Sequence, residues 1–286
     1  MDRAGLLAAL SWQIDLGADE AMAEHPIDRF AESAPKSPAT GTAPAAPRAT
    51  EGALRPSVDA RRAEPARIGA GDGAADLASA SAALAQACET LDDLHAAIAG
   101  WDGSELKRGA RTCVFADGRP GAHLMIIGEA PGADEDRQGK PFVGRAGQLL
   151  DRMLGAIGLD RHADDPARAA YIANILPWRP PGNRTPSDQE VMAFLPFIER
   201  HIALARPKLL FTIGNTPTKA LLATRTGIKR MRGHWRRHGP SGLPLLPSFH
   251  PAYLLRQPSE KRDAWRDLQA LRRALDGAAP EIEEMP

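Results

Sequence analysis

Two cysteines are all that the 286 residues carry, Cys88 and Cys113, and they stand far apart in sequence. A pair so separated suits a reducing compartment and excludes a metal site built from cysteine alone within one chain. No apolar run approaches the roughly 18 residues needed to cross a bilayer, so no membrane contact is expected. The N-terminal stretch MDRAGLLAALSWQIDLGADEA breaks its apolar residues with Gln13, Asp15 and Asp19 and lacks a secretory cleavage pattern. The expected location is therefore the cytoplasm. No internal repeat is seen, which sets repeat architectures aside. Net charge is also missing, at a formal value of zero.

That zero hides an uneven distribution. Residues 1–100 hold 15 acids against 8 Lys and Arg, a net of −7, so the remainder carries +7. The tail from Asp276 holds four acids and no base, which leaves residues 101–275 at +11. A basic body of this kind is compatible with a polyanion partner, although a solvated surface would give the same count. Hydrophobic residues at 43% and charged residues at 25% are ordinary for a soluble protein.

Three regions follow from the pattern. Residues 1–30 contain an amphipathic helical segment with Leu6, Leu7, Leu10, Ile14 and Leu16 mostly on one face. Residues 31–80 are rich in Ala, Pro, Gly, Ser and Arg and read as a disordered linker, because few large apolar residues are present to order them. Residues 81–286 form the expected domain. It opens with a helix over 83–99 and then alternates strands at 123–128, 171–176, 208–214 and 243–249 with helices at 148–157, 186–204, 216–222 and 259–275. Such alternation implies a three-layer α/β/α architecture with a mainly parallel four-stranded sheet. Ligands of such sheets bind at the carboxyl ends of the strands.

The chemistry-bearing residues follow those strands. GEAPGADEDRQGKPFVGRAG, from Gly128 to Gly147, leaves the first strand. Its five glycines permit close backbone approach to a ligand, Glu129 stands where its carboxylate can face a pocket, and Phe142 offers a stacking surface for a planar base. NILPWRPPGNRTP, from Asn174 to Pro186, places an amide inside an apolar strand. Such an amide offers one acceptor and two donors, a match for the N3–H and O4 edge of uracil. Arg179 and Arg184 in the stiff loop after it are candidate phosphate contacts. FHPAYLLR, from Phe249 to Arg256, supplies His250 as a donor and Leu254 and Arg256 as a knuckle toward DNA. Residues 225–238 hold six Lys and Arg and no acid, and Arg232, Arg236 and Arg237 are the expected phosphate contacts there. Taken singly, Phe142 reads as a core aromatic, Asn174 as an amide satisfied by loop backbone, His250 as a structural imidazole and the charge run as solvated surface.

Taken together, GEAPG with PFVGRAGQLLDRML, YIANILPWRPPGNRTP and FHPAYLL resemble the uracil-DNA glycosylase superfamily, and within it family 4. The resemblance runs in order from about Gly103 to Leu275. It implies excision of a uracil flipped out of DNA, with Glu129 and Ala130 lining the catalytic loop, Phe142 stacking on the base, Asn174 reading its edge and His250 donating to it. It also implies a four-iron cluster held by four cysteines. At those four positions this chain has Trp101, Ser104, Trp178 and Phe194, so no cluster and no other metal is expected, and aromatic packing is expected in its place. The loop after the second strand contains no histidine, so no covalent trapping of uracil is expected.

The expected enzyme is thus a uracil-DNA glycosylase that leaves an abasic site, acting on uracil-containing DNA as a monomer. Residues 1–30 are expected to bind a protein partner. Ala130 cannot activate water, which keeps open a module of the same fold that binds uracil or DNA without cutting. A nucleotide- or flavin-binding α/β protein would explain the sheet and the Gly-rich loop, but not His250 within FHPAYLL.

Overall fold

The computed structural model describes residues 72–284. The helical segment expected at 1–30 and most of the linker expected at 31–80 lie outside these residues.

The first described helix, α1 (Asp72–Ala87), starts inside the stretch expected as linker, and α2 (Leu91–Gly100) follows it. An Ala- and Ser-rich composition looked too poor in apolar bulk to order itself. Alanine is nonetheless the best helix former, and α1 packs along a later helix. The single helix expected over 83–99 is two, because Thr90 and Asp93 form a capping box. Asp93 N–H donates to Thr90 Oγ1 at 3.1 Å and Thr90 N–H donates back to the Asp93 carboxylate at 3.0 Å.

The short α3 (Leu106–Gly109) and β1 (Ala116–Gly118) lead into β2 (Leu124–Gly128), α4 (Ala133–Gln138), α5 (Arg145–Ala156) and β3 (Ala170–Asn174). Next come α6 (Asp188–Ala205), β4 (Leu209–Ile213), α7 (Asn215–Leu221), α8 (Ile228–Met231) and β5 (Arg236–Arg237). The chain closes with β6 (Pro244–Ser248), α9 (Pro251–Arg256) and α10 (Lys261–Leu275). The sheet order is β1-β3-β2-β4-β6-β5. The four expected parallel strands form its centre, β3-β2-β4-β6. Two short antiparallel strands, β1 on β3 and β5 on β6, extend it at the edges. Runs of three and two residues are too short to show a period, which is why the sequence pattern did not reveal them.

The central strands are buried on both faces, as a parallel sheet between helices requires. Met125, Ile127, Tyr171 and Leu210 face one layer with Leu94, Phe194, Phe197 and Ile198 from α2 and α6. Leu124, Ile126, Ile172 and Phe211 face the other with Leu150, Leu154, Leu268 and Leu271 from α5 and α10. Each such side chain contributes about 1.5–3 kcal/mol of transfer free energy. That rigid sheet fixes the ends of β2, β3 and β6, where the site lies.

Candidate active site

Gly128 ends β2 and Asn174 ends β3, and the two are partners in register. A methyl on Gly128 would stand 2.6 Å from Phe142 Cζ and closer still to Asn174 Oδ1. Only glycine therefore leaves room between the amide and the ring. Beyond it opens a cavity of about 520 Å³ lined by Glu129, Ala130, Phe142, Asn174, His250 and Arg256, among others. The structure thus brings together all five residues expected to catalyse or bind the base.

Each is held by its own local device. Phe142 is 5% exposed and carries a left-handed backbone, φ +54°. For a residue with a Cβ that costs about 1–3 kcal/mol, which the surroundings must offset. Gly147, on the first turns of α5, accepts the Phe142 backbone against its Cα; a methyl there would lie 2.8 Å from Phe142 Cα. Glu135 ties the two arms of the Gly-rich loop together. Its carboxylate accepts from Gly132 N–H at 3.1 Å, Val143 N–H at 3.0 Å and Gly144 N–H at 2.9 Å.

Asn174 is 6% exposed, and its Oδ1 accepts no hydrogen bond among the described residues. A buried acceptor left so costs about 1–3 kcal/mol until a donor arrives. A planar N–H entering between Asn174 and Phe142 would supply it.

His250 caps α9, with Pro251 as the first helical residue. Its Nδ1 accepts from Ala252 N–H at 3.1 Å, which leaves the ring proton on Nε2. Burial pushes its pKa down to about 4; Arg256 adds to the fall and Glu135 opposes it. The imidazole is therefore a neutral donor at physiological pH. Its ring lies 5.5 Å from that of Phe142, tilted by 35°. Glu129 accepts from the Thr216 hydroxyl at 2.5 Å, so α7 orients its carboxylate.

The expected phosphate contacts fare differently. Arg184 lines the cavity but forms a bidentate pair with Glu190 at 2.8 and 2.6 Å, and this pairing pushes the Glu190 carboxyl down to about 2. Arg179 donates to Asn183 Oδ1 at 2.7 Å, and Arg256 is exposed at the cavity mouth.

Four of the expected DNA contacts lie outside the cavity lining. Leu254 is 1% exposed and belongs to the core packed beneath α9. Arg232 is engaged by Asp267 and donates to the Asp263 carbonyl at 2.8 Å. Arg236 is buried, and the acidic tail folds onto it through Glu283 at 3.3 Å and the Glu284 carbonyl. Arg237 pairs with Pro244, the first residue of β6, at the end of the strand opposite His250, and donates to the Gly242 carbonyl. The part of the basic run that borders the cavity is instead Arg225, Lys229 and Arg230. These line a shallow groove that shares Asn215 with the cavity. Counting charge located the run, but charge alone carries no information about which side chains face the strand ends.

The residues present do not fit an iron–sulfur cluster, which needs about four thiolates. Trp101, Trp178 and Phe194 are buried, and Trp101 meets Phe194 and Phe197 edge-on at 5.2 Å each. Ser104 Oγ accepts from Leu106 N–H at 3.3 Å. Among the described residues no cluster of three or more His, Cys, Asp or Glu could hold a metal, and no helix is long and apolar enough to cross a membrane.

A mainly parallel sheet between helix layers, with Phe142, Asn174 and His250 gathered around one cavity beyond its strand ends, defines an α/β protein with its candidate site at the carboxyl edge of the sheet. The family model described as the uracil DNA glycosylase superfamily matches residues 115–269, and the chain belongs to that superfamily. Among its relatives is a type-4 uracil-DNA glycosylase of Pyrobaculum aerophilum, 35% identical over 184 residues, covering 62% of this chain and 91% of the relative. Another, from Saccharolobus solfataricus, is 35% identical over 173 residues, 58% of this chain and 77% of the relative. A third, from Archaeoglobus fulgidus, is 32% identical over 190 residues, 64% and 92% respectively.

Proposed function

We propose that the protein excises uracil from DNA in base excision repair, hydrolysing the bond between C1′ of the sugar and N1 of the base. The observation that carries this is the buried Asn174, its Oδ1 unpartnered among the described residues, lining one cavity with Gly128 and Phe142 at its edge and His250 beside it. A uracil turned out of the helix stacks on Phe142. Its N3–H donates to Asn174 Oδ1, and its O4 accepts from the Asn174 amide. Cytosine presents an acceptor at N3 and an amine at C4, so both contacts fail. As the C1′–N1 bond breaks, its electron pair goes to uracil and the sugar becomes cationic. The Nε2–H of His250 donates to O2, where the negative charge gathers. Glu129, oriented by Thr216, faces the sugar side, positions water and balances the cation. The water oxygen joins C1′ and its proton passes to the uracil anion, giving an abasic site and neutral uracil.

Arg179, Arg184 and Arg256 contact the DNA backbone around the cavity, and Arg225, Lys229 and Arg230 continue that track along the adjoining groove. The enzyme works without an iron–sulfur cluster, as a cytoplasmic monomer, and residues 1–30 engage a protein partner. Purified protein should be colourless and lack stoichiometric iron; about four iron atoms per chain would overturn the cofactor reading.

The decisive measurement is alkali-induced strand cleavage of an oligonucleotide with one uracil, beside the matched cytosine control. Cleavage at uracil alone is expected. Tight binding to the uracil strand without cleavage would make the protein a uracil reader, the role that Ala130 keeps in view.

A further inference from the structure

Phe142 gives the cleft an aromatic face, and its backbone is gripped from behind by a group that touches nothing in the cavity. Arg161 lies between α5 and β3 and is 5% exposed. Its Nη2 donates to the Phe142 carbonyl at 3.0 Å and its Nη1 to the Pro141 carbonyl at 3.1 Å. The same guanidinium reaches Asp117 at 3.1 Å and, through Nε, Asp151 at 2.8 Å. Burial works against the Asp117 carboxylate, yet Arg161 and Lys140 hold it below its ordinary range.

The arrangement is specific. Two consecutive carbonyls, one on either side of the Phe142 Cα with its left-handed backbone, converge on one planar fork. A rigid guanidinium can serve both at once, whereas an ammonium is a single point of charge. The two carboxylates lie on β1 and α5, so the fork is fixed to the sheet edge and to a helix rather than to the loop that it restrains.

We propose that Arg161 is the positioning residue of the base slot: it holds Phe142 in its left-handed backbone and so keeps the ring opposite Asn174 and His250. This inference rests on the uracil-excision reading above. Arg161 does not itself touch the base.

The selective variant is Arg161→Lys, which keeps a cation beside Asp117 and Asp151 but loses the fork. Two quantities are measured: kcat/KM on a uracil oligonucleotide, in the parent and in a Phe142→Ala background, and amide hydrogen exchange along residues 139–147. In the parent background the rate should fall by about tenfold, the scale expected when a substrate-positioning group slips. In the Phe142→Ala background the further loss should be under about twofold, since the ring to be positioned is gone. Exchange should quicken over residues 139–147, Val143 and Gly144 included, and not along β2 or α6. Equal losses in the two backgrounds, or a loop whose exchange does not change, would overturn the proposal and leave Arg161 a packing residue.

Should Arg161→Lys fail to fold, Asp151→Asn removes a half-exposed anchor instead. It should give the same exchange pattern with a smaller rate loss; an unchanged pattern counts against the proposal. A parent protein that cuts no uracil defeats the functional reading, while hydrogen exchange still decides the role of Arg161.

Discussion

Beyond the carboxyl ends of β2, β3 and β6 the chain holds a phenylalanine in left-handed backbone, leaves an amide oxygen unpartnered and keeps a histidine neutral by burial. On one face of the same sheet, α1, α2 and α6 pack Trp101, Phe194 and Phe197 edge to face. This layer too has an orphan, the buried Trp178 Nε1. The two orphans differ in surroundings. Asn174 lines the cavity beside Phe142 and His250, whereas Trp178 lines none of the described hollows and is outweighed by the area that its ring buries. On the proposed function, local cost in the first region is recovered on binding, and in the second on folding.

The comparison breaks most visibly in the aromatic layer. Phe194 is fully buried, and Phe194→Ala should lower unfolding free energy by about 3–5 kcal/mol in a denaturant titration. The folded variant should retain uracil excision to within about threefold, because among the cavity residues only Ala130 packs against that layer, while Phe142 belongs to the opposite one. A large loss of rate with intact folding would show that the two regions are coupled.

His250 probes the other side of the comparison. Removing a preorganised donor to a departing anion should cost about 10²–10³ in kcat, so His250→Ala should cut uracil that much more slowly. The same residue has a signature in pH. Its pKa is about 4 in the fold against 6.5 for an ordinary histidine. Between those values the unfolded chain binds a proton that the folded chain does not, so stability falls as pH drops from 6.5 towards 4. The slope is at most about 1.4 kcal/mol per pH unit for each such group. His201, stacked on Phe115 and bonded to Tyr171, is pushed down to about 3 and acts in the same direction. Excision, by contrast, should show no step near pH 6.5, since the donor is already neutral there. A rate that rises on acidification through pH 6.5 would mean that the imidazolium does the work.

How much of this was legible beforehand follows from the kind of signal. The four parallel strands and the five cavity residues were readable, because apolar runs ending in GEAPG, ANILP and FHPAY place chemistry at strand ends. The split at Thr90 is a three-residue capping pattern hidden inside a continuous apolar stripe. The fork of Arg161 was invisible, since it joins residues 19 and 20 positions apart with no motif between them. The basic run was located, but its facing was not. Arg232, Arg236 and Arg237 were expected to meet phosphate, yet Asp267, Glu283 and the Gly242 carbonyl hold them elsewhere.

That difference in placement yields a sharper test of the surface. Replacing Arg225, Lys229 and Arg230 by alanine should flatten the dependence of log affinity on log salt by up to about three units, near one for each phosphate left without its cation. The Arg232, Arg236 and Arg237 triple variant should keep the parent slope and lose stability instead, because Asp267 would be left buried without its cation. The reverse result would return the phosphate track to the first-named set.

The smallest effect is expected from the N-terminal stretch, and its boundary matters. Helix α1 begins at Asp72 and packs against α6, and Arg200 of α6 donates to the Cys88 carbonyl just beyond its last turn, at 2.9 Å from Nε. Ser81 and Ala85 on that helix are buried. Deleting residues 1–71 leaves α1 and its packing on α6 in place, and uracil excision from short oligonucleotides should be unchanged. The melting midpoint should move by no more than about 2 °C, within the range that 0.5 kcal/mol produces for a domain of this size. Deleting residues 1–89 instead strips α1 from α6 and exposes the apolar face that α1 covers, so a drop of several degrees is expected. If the shorter deletion already costs several degrees, residues 1–71 belong to the fold. They would then not be a tether that raises the local concentration of a partner.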